Sequence, residues 1–333
     1  MTGNNKVQIT QKTNVIFVVN LARVDTVQMF AKKNVNVLKI NNMNQEINVL
    51  SLFNGMNTGR QALENVGIKV NKYYSSEIKP YAIELTQYHF PDTIQIGDVT
   101  KWKDWDIDWK SIDLILSGSP CQDLSAAGKR AGINGEKSSL FFTFVEILEH
   151  IKLLNPNVLF LQENVGSASK LDVGIMSRAL GVYPVRINSS LVTAQLRDRY
   201  YWSNIRTKET MFDLVTDIPQ PKDKGILLKD ILTSGYNKRK KANCLTEGLI
   251  SKNISKDLFS ENWQKYLKKR PQSMVILINE NDLLRLPNKI EMCRLQGFPD
   301  DYCDILTTTK AGSLLGDGWT LPIIEHIFTF IKR

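Results

Sequence analysis

The sequence predicts an α/β fold in which a parallel sheet carries helices on both faces. From Ile47 onward, short apolar runs alternate with segments that have the length and pattern of helices. This alternation is typical of βαβ units, whose parallel strands are joined by right-handed connections. Several predicted strands also end in glycines, acids or a cysteine, and open α/β sheets bind their ligands at those carboxyl ends.

The elements follow one another in order along the first half of the chain. The predicted strands are residues 47–53, 72–76, 93–96, 113–116 and 157–162. The predicted helices between them are residues 59–66, 79–89 and 138–151, and a terminal helix is predicted from Leu321. Each strand is short and apolar, as expected of strands that are buried on both faces.

The regular alternation fades after Trp202. Residues 207–282 are polar and rich in lysine, and the pattern of a packed fold resumes at 283–333. We therefore expect a main domain formed by 47–206 and 283–333, with 207–282 as a separate small region. Residues 1–46 are rich in Asn and Lys and form an N-terminal extension to which the sequence assigns no role.

Composition narrows the functional class. The chain has 333 residues and a net charge of +9, which is compatible with a polyanionic partner. Basic residues concentrate at 238–241 and 268–270, although solvated loop tips would give the same pattern. No apolar run is long enough for a membrane span, and the N-terminus lacks the layout of a secretory signal. The four scattered cysteines indicate reduced thiols in a cytoplasmic protein without a metal site.

Cys121 is the candidate nucleophile. It follows the predicted strand 113–116 on a loop of small residues, whereas structural cysteines usually lie inside apolar periodic runs. Glu163 follows the next predicted strand, where a carboxyl group close to a thiol could serve as a general acid or hydrogen-bond donor. A Glu–Asn pair that caps a helix would give the same local pattern as Glu163 and Asn164.

Three successive strand ends indicate a nucleoside ligand. Gly55 and Gly59 lie in the turn after the first strand, where they let the backbone approach a ligand closely. Glu77 follows the second strand and is suited to ribose hydroxyls, and Asp98 follows the third and is suited to an adenine amino group. A plain strand–helix connection would explain the glycines alone but not the two acids.

Two arginines lie at alternate positions of a further extended segment, 195–202. Because side chains alternate along a strand, Arg197 and Arg199 are expected to share one face. Both guanidinium groups could then bind one anion or one base. A surface charge pair ahead of an aromatic core strand is the alternative.

Taken together and in this order, these segments resemble the DNA (cytosine-5)-methyltransferase family. The matching segments are Phe-x-Gly-x-x-x-Gly from Phe53, Pro120-Cys121-Gln122, Glu163-Asn164-Val165, Gln-x-Arg-x-Arg from Gln195, Arg-Leu-Gln-Gly-Phe-Pro from Arg294, and Gly-x-Gly-Trp-x-Leu-Pro from Gly316. They cover about 47–206 and 283–333. The first and last of these segments are similar to the animal de novo branch and to phage and bacterial enzymes.

The resemblance implies a Rossmann-like, S-adenosylmethionine-dependent methyltransferase sheet with a small target-recognition domain at 207–282. It implies that Cys121 adds to carbon 6 of a flipped-out cytosine and that Glu163 holds or protonates ring nitrogen 3. Arg199 would contact the base carbonyl oxygen, and Arg197 would orient the loop or a phosphate.

The resemblance also implies the S-adenosylmethionine site. Phe53 and Ile78 would lie on the two faces of the adenine, and Glu77 would bind the ribose. The implied cofactor-binding residues are Phe53, Gly55, Thr58, Gly59, Glu77, Ile78, Asp98, Val99, Pro120, Leu140 and Trp319. The chain departs from the family in having Asn54 where Asp or Ala is usual, and Leu286-Pro287 where Leu-Thr-Pro is usual.

Double-stranded DNA is the expected partner, with a brief recognition sequence and a monomeric enzyme. A cognate restriction endonuclease would be a further partner. A tRNA cytosine-5 methyltransferase is an alternative, although the RNA-acting branch carries Cys-Phe-Thr and here Cys244 precedes Leu245-Thr246. A non-catalytic DNA-binding relative is another, but Cys121, Glu163 and Arg199 are all present.

Overall fold

The computed structural model describes residues 46–120, 140–246, 260–269, 277–278 and 283–331. They all belong to one compact unit, Ile40–Arg333. The N-terminal extension up to residue 45, the segment 121–139 that contains Cys121, and parts of 207–282 lie outside the described residues.

Seven strands form the central sheet. In chain order they are β1 (Ile47–Leu52), β2 (Val70–Ser76), β3 (Ile94–Gln95), β4 (Leu114–Ser117), β5 (Leu159–Val165), β6 (Val185–Asn188) and β8 (Asp198–Ser203). The short strand β7 (Gln195–Leu196) lies between β6 and β8 in the chain and is not part of this sheet. Their spatial order is β3-β2-β1-β4-β5-β8-β6. The first five are mutually parallel, which confirms the predicted α/β fold.

Strand β8 is antiparallel to both of its neighbours, β5 and β6. The sequence pattern did not reveal this reversal, because side-chain alternation is the same in either direction. The reversal has a functional consequence: the beginning of β8, which carries Arg199, lies at the edge where β5 ends.

Short strand pairs flank the sheet. Strand β9 (Thr207–Glu209) pairs with β10 (Leu214–Thr216), β11 (Ala242–Asn243) pairs with β7, and β12 (Leu277–Ile278) pairs with β13 (Leu284–Arg285). The β9–β10 hairpin continues from the end of β8, at the amino-terminal edge of the parallel strands. The β11–β7 pair is parallel and runs up to Arg197.

The helices cover both faces of the sheet. They are α1 (Thr58–Asn65), α2 (Pro80–His89), α3 (Leu140–Leu154), α4 (Lys170–Leu180), α5 (Leu228–Ile231), α6 (Glu261–Lys268), α7 (Lys289–Gln296), α8 (Thr308–Asp317) and α9 (Leu321–Phe328). The predicted helices correspond to α1, α2, α3 and α9. Within the described part of the chain, no helix is long and apolar enough to cross a membrane.

Alternation along the strands divides the core into two layers. Val49, Leu114, Leu161 and Tyr201 pack against α1, α2, α7, α8 and α9 on one face. The adjacent positions on the same strands pack against α3 and α4 on the other face of the sheet. These residues are Leu50, Ile115, Phe160 and Trp202. Glu163 and Arg199 share the parity of Leu161 and Tyr201, so their side chains belong to the first face.

Part of the predicted small region packs on the main core. Ile218, Leu228, Ala242 and Leu245 are buried in the same cluster as the first face of the sheet. Helix α6 forms a cluster of its own with the segment around Leu286. The domain boundaries at 206 and 282 stay a prediction, although side chains from 207–246 contribute directly to the core on the first face of the sheet.

Candidate active site

The sheet has its topological switch point between β1 and β4. From β1 the chain first adds β2 and β3 on one side, and then returns to add β4 and β5 on the other. Loops that leave adjacent strands in opposite directions open a crevice at the carboxyl ends, which is where open α/β sheets bind ligands. The turn after β1 and residues 118–120 after β4 border this crevice.

An ion pair lies at the carboxyl edge of β5. Arg199 Nε is 2.8 Å from Glu163 Oε1, and the two side chains are only 14% and 10% exposed. Strand register explains the pair, because Arg199 lies opposite Val165 and Tyr201 opposite Glu163. Glu163 and Arg199 are therefore diagonal neighbours on one face of an antiparallel pair, within reach of long side chains.

A buried amide network fixes the segment that leads to Cys121. Gln162 Nε2 donates to Ser119 Oγ at 2.9 Å, and Asn164 Nδ2 lies 3.4 Å from the same oxygen. Both amide side chains are buried. The backbone before Pro120 is thus tied to β5, on the strand that carries Glu163. Cys121 itself lies outside the described residues.

Arg197 is directed toward backbone carbonyls. Its side chain is buried, and it donates to the carbonyl of Gly316 at 3.1 Å and to that of Gly318 at 2.8 Å. It also reaches the Leu245 carbonyl at 3.4 Å. Arg197 therefore ties the segment before Trp319 to the beginning of β8.

Two glutamines in the family-like segments join the C-terminal part of the chain to the sheet. Gln195 Nε2 donates to the Leu295 carbonyl at 3.0 Å, and its Oε1 accepts from the Leu245 amide at 2.8 Å. Gln296 accepts from Thr320 Oγ1 at 2.8 Å. Because all of these groups are buried, each needs a partner, and together they hold β7, α7 and the start of α9 in one arrangement.

Glu77 organises the turn after β1. Its Oε2 accepts from the Gly55 amide at 2.7 Å, and its Oε1 accepts from the Ile78 amide at 2.8 Å. Phe53 and Asn57 have positive φ angles of 56° and 62°, which non-glycine residues adopt rarely. The acid predicted for a ribose thus also determines the shape of the turn that would border the ligand.

Asp98 lies at the neighbouring strand end. Its Oδ1 accepts from the Thr100 amide and hydroxyl, each at 2.9 Å, and these hydrogen bonds hold the pKa of the Asp98 carboxyl below its ordinary value. A Cβ atom added to Gly97 would meet no heavy atom within 4 Å. There is open space beside this acid, and Val99, which follows it, is buried in the core.

Trp319 packs over the end of β4. A Cβ atom on Gly118 would lie 2.8 Å from Trp319 Nε1, so glycine is required for the indole to lie this close. Gly59, in α1, is packed in the same way, because an added Cβ atom would collide with the Leu116 side chain. Thr58 is buried at the start of α1, and Leu140 is half-buried at the start of α3.

The residues at this edge fit a nucleoside. Glu77 and Asp98 offer carboxylates from adjacent strands, which match sugar hydroxyls and an exocyclic amino group. Ile78, which follows Glu77, is 70% exposed, and an exposed apolar side chain next to this acid provides a surface for a flat base. Phe53 is half-buried at the end of β1.

The structure places one further residue, Cys244, beside the two arginines. Cys244 Sγ accepts an N–H from Arg197 Nη1 at 3.2 Å and lies 3.9 Å from Arg199 Nη2. Its place beside both arginines depends on the pairing of β11 with β7, which joins positions 47 residues apart and leaves no local signal in the sequence.

Lys241 differs from the other members of the basic segment 238–241. Its Nζ donates to the carbonyls of Ser190, Thr193 and Ile226. Burial lowers the pKa of Lys241, although Asp223 and Asp230 counteract it. Lys238, Arg239 and Lys240 are exposed, so three of the four basic side chains are directed to solvent.

The site thus combines a doubly covered α/β sheet, two acids at adjacent strand ends that fit a nucleoside, and a buried Glu–Arg pair at the same edge. The model of the C-5 cytosine-specific DNA methylases matches residues 47–333, and the chain belongs to that family.

The curated relatives include bacterial and phage methyltransferases. The type II methyltransferase M1.ScrFI of Lactococcus lactis subsp. cremoris is 27% identical over 312 residues, which cover 84% of this chain and 76% of that protein. M.NlaIV of Neisseria lactamica is 36% identical over 125 residues, which cover 36% of this chain and 28% of that protein. The orphan methyltransferase M.Rho11sI of Bacillus phage rho11s is 30% identical over 213 residues, which cover 60% and 39%. The matches to M.NlaIV and M.Rho11sI thus span less than half of those relatives' lengths.

Solved structures share the fold. DNMT2 of Spodoptera frugiperda superposes with a TM-score of 0.56 at 17% identity, covering 86% of this chain and all of that one. The Entamoeba histolytica methyltransferase EhMeth superposes with a TM-score of 0.60 at 16% identity, covering 86% and 98%.

Proposed function

We propose that this protein transfers a methyl group from S-adenosylmethionine to carbon 5 of a cytosine in double-stranded DNA. The observation that carries the proposal is the buried Glu163–Arg199 pair at the carboxyl edge of β5, beside the strand that continues into Pro120-Cys121. A carboxyl group and a guanidinium held side by side offer complementary contacts to the ring nitrogen and carbonyl oxygen of cytosine.

The chemistry requires a nucleophile, because carbon 5 of cytosine is not nucleophilic enough to take a methyl group unaided. The Cys121 thiolate would add to carbon 6, and Glu163 would hold or protonate ring nitrogen 3 while Arg199 binds the carbonyl oxygen. S-adenosylmethionine, when bound, supplies an electrophilic methyl group. Loss of the carbon 5 proton to a base would then expel the Cys121 thiolate and restore the aromatic ring.

The cofactor would be held at the ends of β1, β2 and β3. Glu77 would accept from the ribose hydroxyls and Asp98 from the adenine amino group. Phe53 and Ile78 would cover the two faces of the adenine, and Trp319 would close the pocket over Gly118. The remaining contacts would come from Gly55, Thr58, Gly59, Val99, Pro120 and Leu140.

Double-stranded DNA is the proposed substrate, and the target cytosine would be flipped out because its ring faces are covered in a stacked duplex. Residues 207–282 would carry the target recognition. Arg197 would act by orienting the segments around it. The relatives named type II methyltransferases support a restriction endonuclease as a partner. We propose a monomer, which size-exclusion chromatography with light scattering would test.

The deciding experiment is transfer of a labelled methyl group to mixed-sequence double-stranded DNA by the wild type and by Cys121→Ser. We expect incorporation by the wild type only, at carbon 5 of cytosine. A tRNA pool assayed in parallel distinguishes the RNA alternative. Incorporation into tRNA alone, or undiminished transfer by Cys121→Ser, would refute the proposal.

A second experiment tests the covalent step. DNA that contains 5-fluorocytosine should trap the enzyme. With fluorine in place of the carbon 5 hydrogen, a base has no proton to remove, and the Cys121 thiolate cannot be expelled. A complex that survives denaturation is expected for the wild type and not for Cys121→Ser. A non-catalytic DNA-binding relative would form no such complex.

A further inference from the structure

Cys244 reaches the active site on a strand that the main sheet does not include. Strand β11 is parallel to β7, with Ala242 opposite Gln195 and Asn243 opposite Leu196. Since the two strands run side by side in one direction, the residue after β11 lies beside the residue after β7. Those residues are Cys244 and Arg197.

The sulfur of Cys244 lies between two arginines. Arg197 Nη1 is 3.2 Å and Arg199 Nη2 is 3.9 Å from Sγ. The Nε atom of the same Arg199 guanidinium forms the ion pair with Glu163 Oε1 at 2.8 Å. A planar guanidinium cannot turn one nitrogen without turning the others, so the contact at Nη2 restricts the direction of Nε.

The surroundings of Cys244 differ from those of the other described cysteines. Cys293 and Cys303 are fully buried in the apolar core, where thiols act as small hydrophobic side chains. Cys244 is only half-buried and has no place in that cluster. Burial raises the pKa of the Cys244 thiol, but the charges and hydrogen bonds of Arg197 and Arg199 outweigh it, and the pKa is lowered.

Both arginines have partners in addition to the sulfur. Arg197 also donates to the carbonyls of Gly316 and Gly318, which fix it without help from Cys244. Arg199 donates to the carbonyl of Asp198, its own neighbour in sequence, at 2.8 Å. Removal of the sulfur takes a contact away from Arg199 Nη2, on the guanidinium whose Nε pairs with Glu163, and this is the route by which Cys244 would act on Glu163.

We propose that Cys244 is a positioning residue for methyl transfer, which holds the Arg199 guanidinium in the orientation that pairs with Glu163. The proposal rests on the proposed function, because it assigns Cys244 a role in placing the two groups that would contact the cytosine. Cys244 would act through Arg199 and would form no bond to the substrate.

The test compares Cys244→Ala with Cys244→Ser. We expect Cys244→Ala to lower kcat about tenfold or more, since small displacements of catalytic groups are costly, while the KM for S-adenosylmethionine stays unchanged. Serine keeps a hydrogen-bond acceptor at the same place and should restore most of the lost kcat. Cys303→Ala is the matched control: it removes a core thiol and should lower the melting temperature without lowering kcat per folded enzyme.

A double-mutant cycle separates positioning from a general loss of structure. If Cys244 acts through the Arg199–Glu163 pair, Cys244→Ala should have little further effect on kcat in Glu163→Gln. Equal losses in both backgrounds, or wild-type kcat in Cys244→Ala, would overturn the inference. If the wild type methylates neither DNA nor tRNA, the proposed function fails and the inference fails with it.

A measurement without catalysis covers the case in which Cys244→Ala does not fold. In Cys121→Ser, the rate at which iodoacetamide alkylates Cys244 is followed against pH by peptide mass spectrometry. The charged groups that face the sulfur among the described residues are Arg197 and Arg199, and Glu163 acts through Arg199. We expect half-maximal alkylation at a lower pH than for a free thiol, and at a higher pH when Arg199→Gln is added. No change on adding Arg199→Gln would overturn the inference.

Discussion

At the scale of single residues, the position of Glu163 follows from strand direction. Glu163 lies near the end of β5 and Arg199 near the beginning of β8, and only an antiparallel arrangement places these two positions at one edge. The short Nε–Oε1 distance and the low exposure of both side chains then make the pair a preformed unit. A preformed donor and acceptor need no reorganisation when a base arrives.

Loss of the Glu163 carboxyl should abolish most of the activity without affecting cofactor binding. We expect Glu163→Gln to lower kcat by about 100-fold or more, which is the usual contribution of a positioned acid. Steady-state kinetics with DNA as substrate measures this. Glu149→Gln is the control, because Glu149 pairs with Lys152 on the exposed side of α3. A kcat for Glu163→Gln within a few-fold of the control would contradict the assignment.

Gly118 is expected to limit how closely Trp319 packs. In Gly118→Ala the new methyl group would lie 2.8 Å from Trp319 Nε1, so the indole must move away from the end of β4. We expect the Kd for S-adenosylmethionine to rise about 3- to 10-fold, as for loss of one aromatic contact. Calorimetric titration measures it. Gly174→Ala, whose added Cβ meets only Arg178 Nη1 at 3.6 Å, should bind like the wild type.

At the scale of elements, the sequence predicted what local pattern determines. Strands β1 to β5 and helices α1 to α3 have clear apolar periodicity, and each was located to within a few residues. The direction of β8 and the β11–β7 pair were not predictable, because both depend on contacts between segments distant in the chain. For the same reason the sequence singled out Glu163 and both arginines, but it did not show that Cys244 lies beside them.

Helix α7 is held at its beginning by a buried ion pair. Asn288 and Glu291 form a capping box, and Arg285 lies 2.8 Å from Glu291 Oε2 with side chains 16% and 0% exposed. Burial raises the pKa of Glu291, but Arg285 and the amides of Thr233 and Asn288 outweigh it, and the pKa is lowered. The pair therefore anchors α7, which carries Gln296, to the segment around Thr233.

Glu291→Gln should destabilise the fold in a pH-dependent way. It leaves the Arg285 charge largely buried without its partner, which costs about 3 kcal/mol at pH 7. The pKa of Glu291 is lower in the folded state than in the unfolded state, where it is about 4.3. The ionised carboxylate therefore stabilises the fold fully above this unfolded-state pKa. That stabilisation is lost as the pH falls through the folded-state pKa.

Urea unfolding measures the free energy of unfolding of both proteins. The difference between the wild type and Glu291→Gln should be at its full value at pH 7 and should shrink below about pH 4. Glu261→Gln, in the exposed pair with Lys265, should unfold like the wild type. A difference that grows as the pH falls would contradict this linkage.

At the scale of the whole molecule, the two edges of the sheet have different roles. The carboxyl edge carries Glu163, Arg199, Glu77 and Asp98. The amino edge carries the β9–β10 hairpin. Strand β11 runs toward the carboxyl edge. The exposed part of the basic segment, 238–240, lies just before β11, with only Lys241 between them. Lys240 is therefore within about 13 Å of Cys244 along an extended chain.

DNA affinity should depend on the basic segment 238–240 and not on lysines at the other edge. Each lost phosphate contact lowers the slope of log K against log salt by about 0.9. Changing 238–240 to glutamine should make the slope shallower by about 2 to 3. The matched variant changes Lys69, Lys110 and Lys208, which are exposed and lie ahead of β2, ahead of β4 and in β9, and it should keep the wild-type slope. Fluorescence anisotropy from 50 to 200 mM salt measures both slopes, and equal loss in the two variants would place the DNA elsewhere.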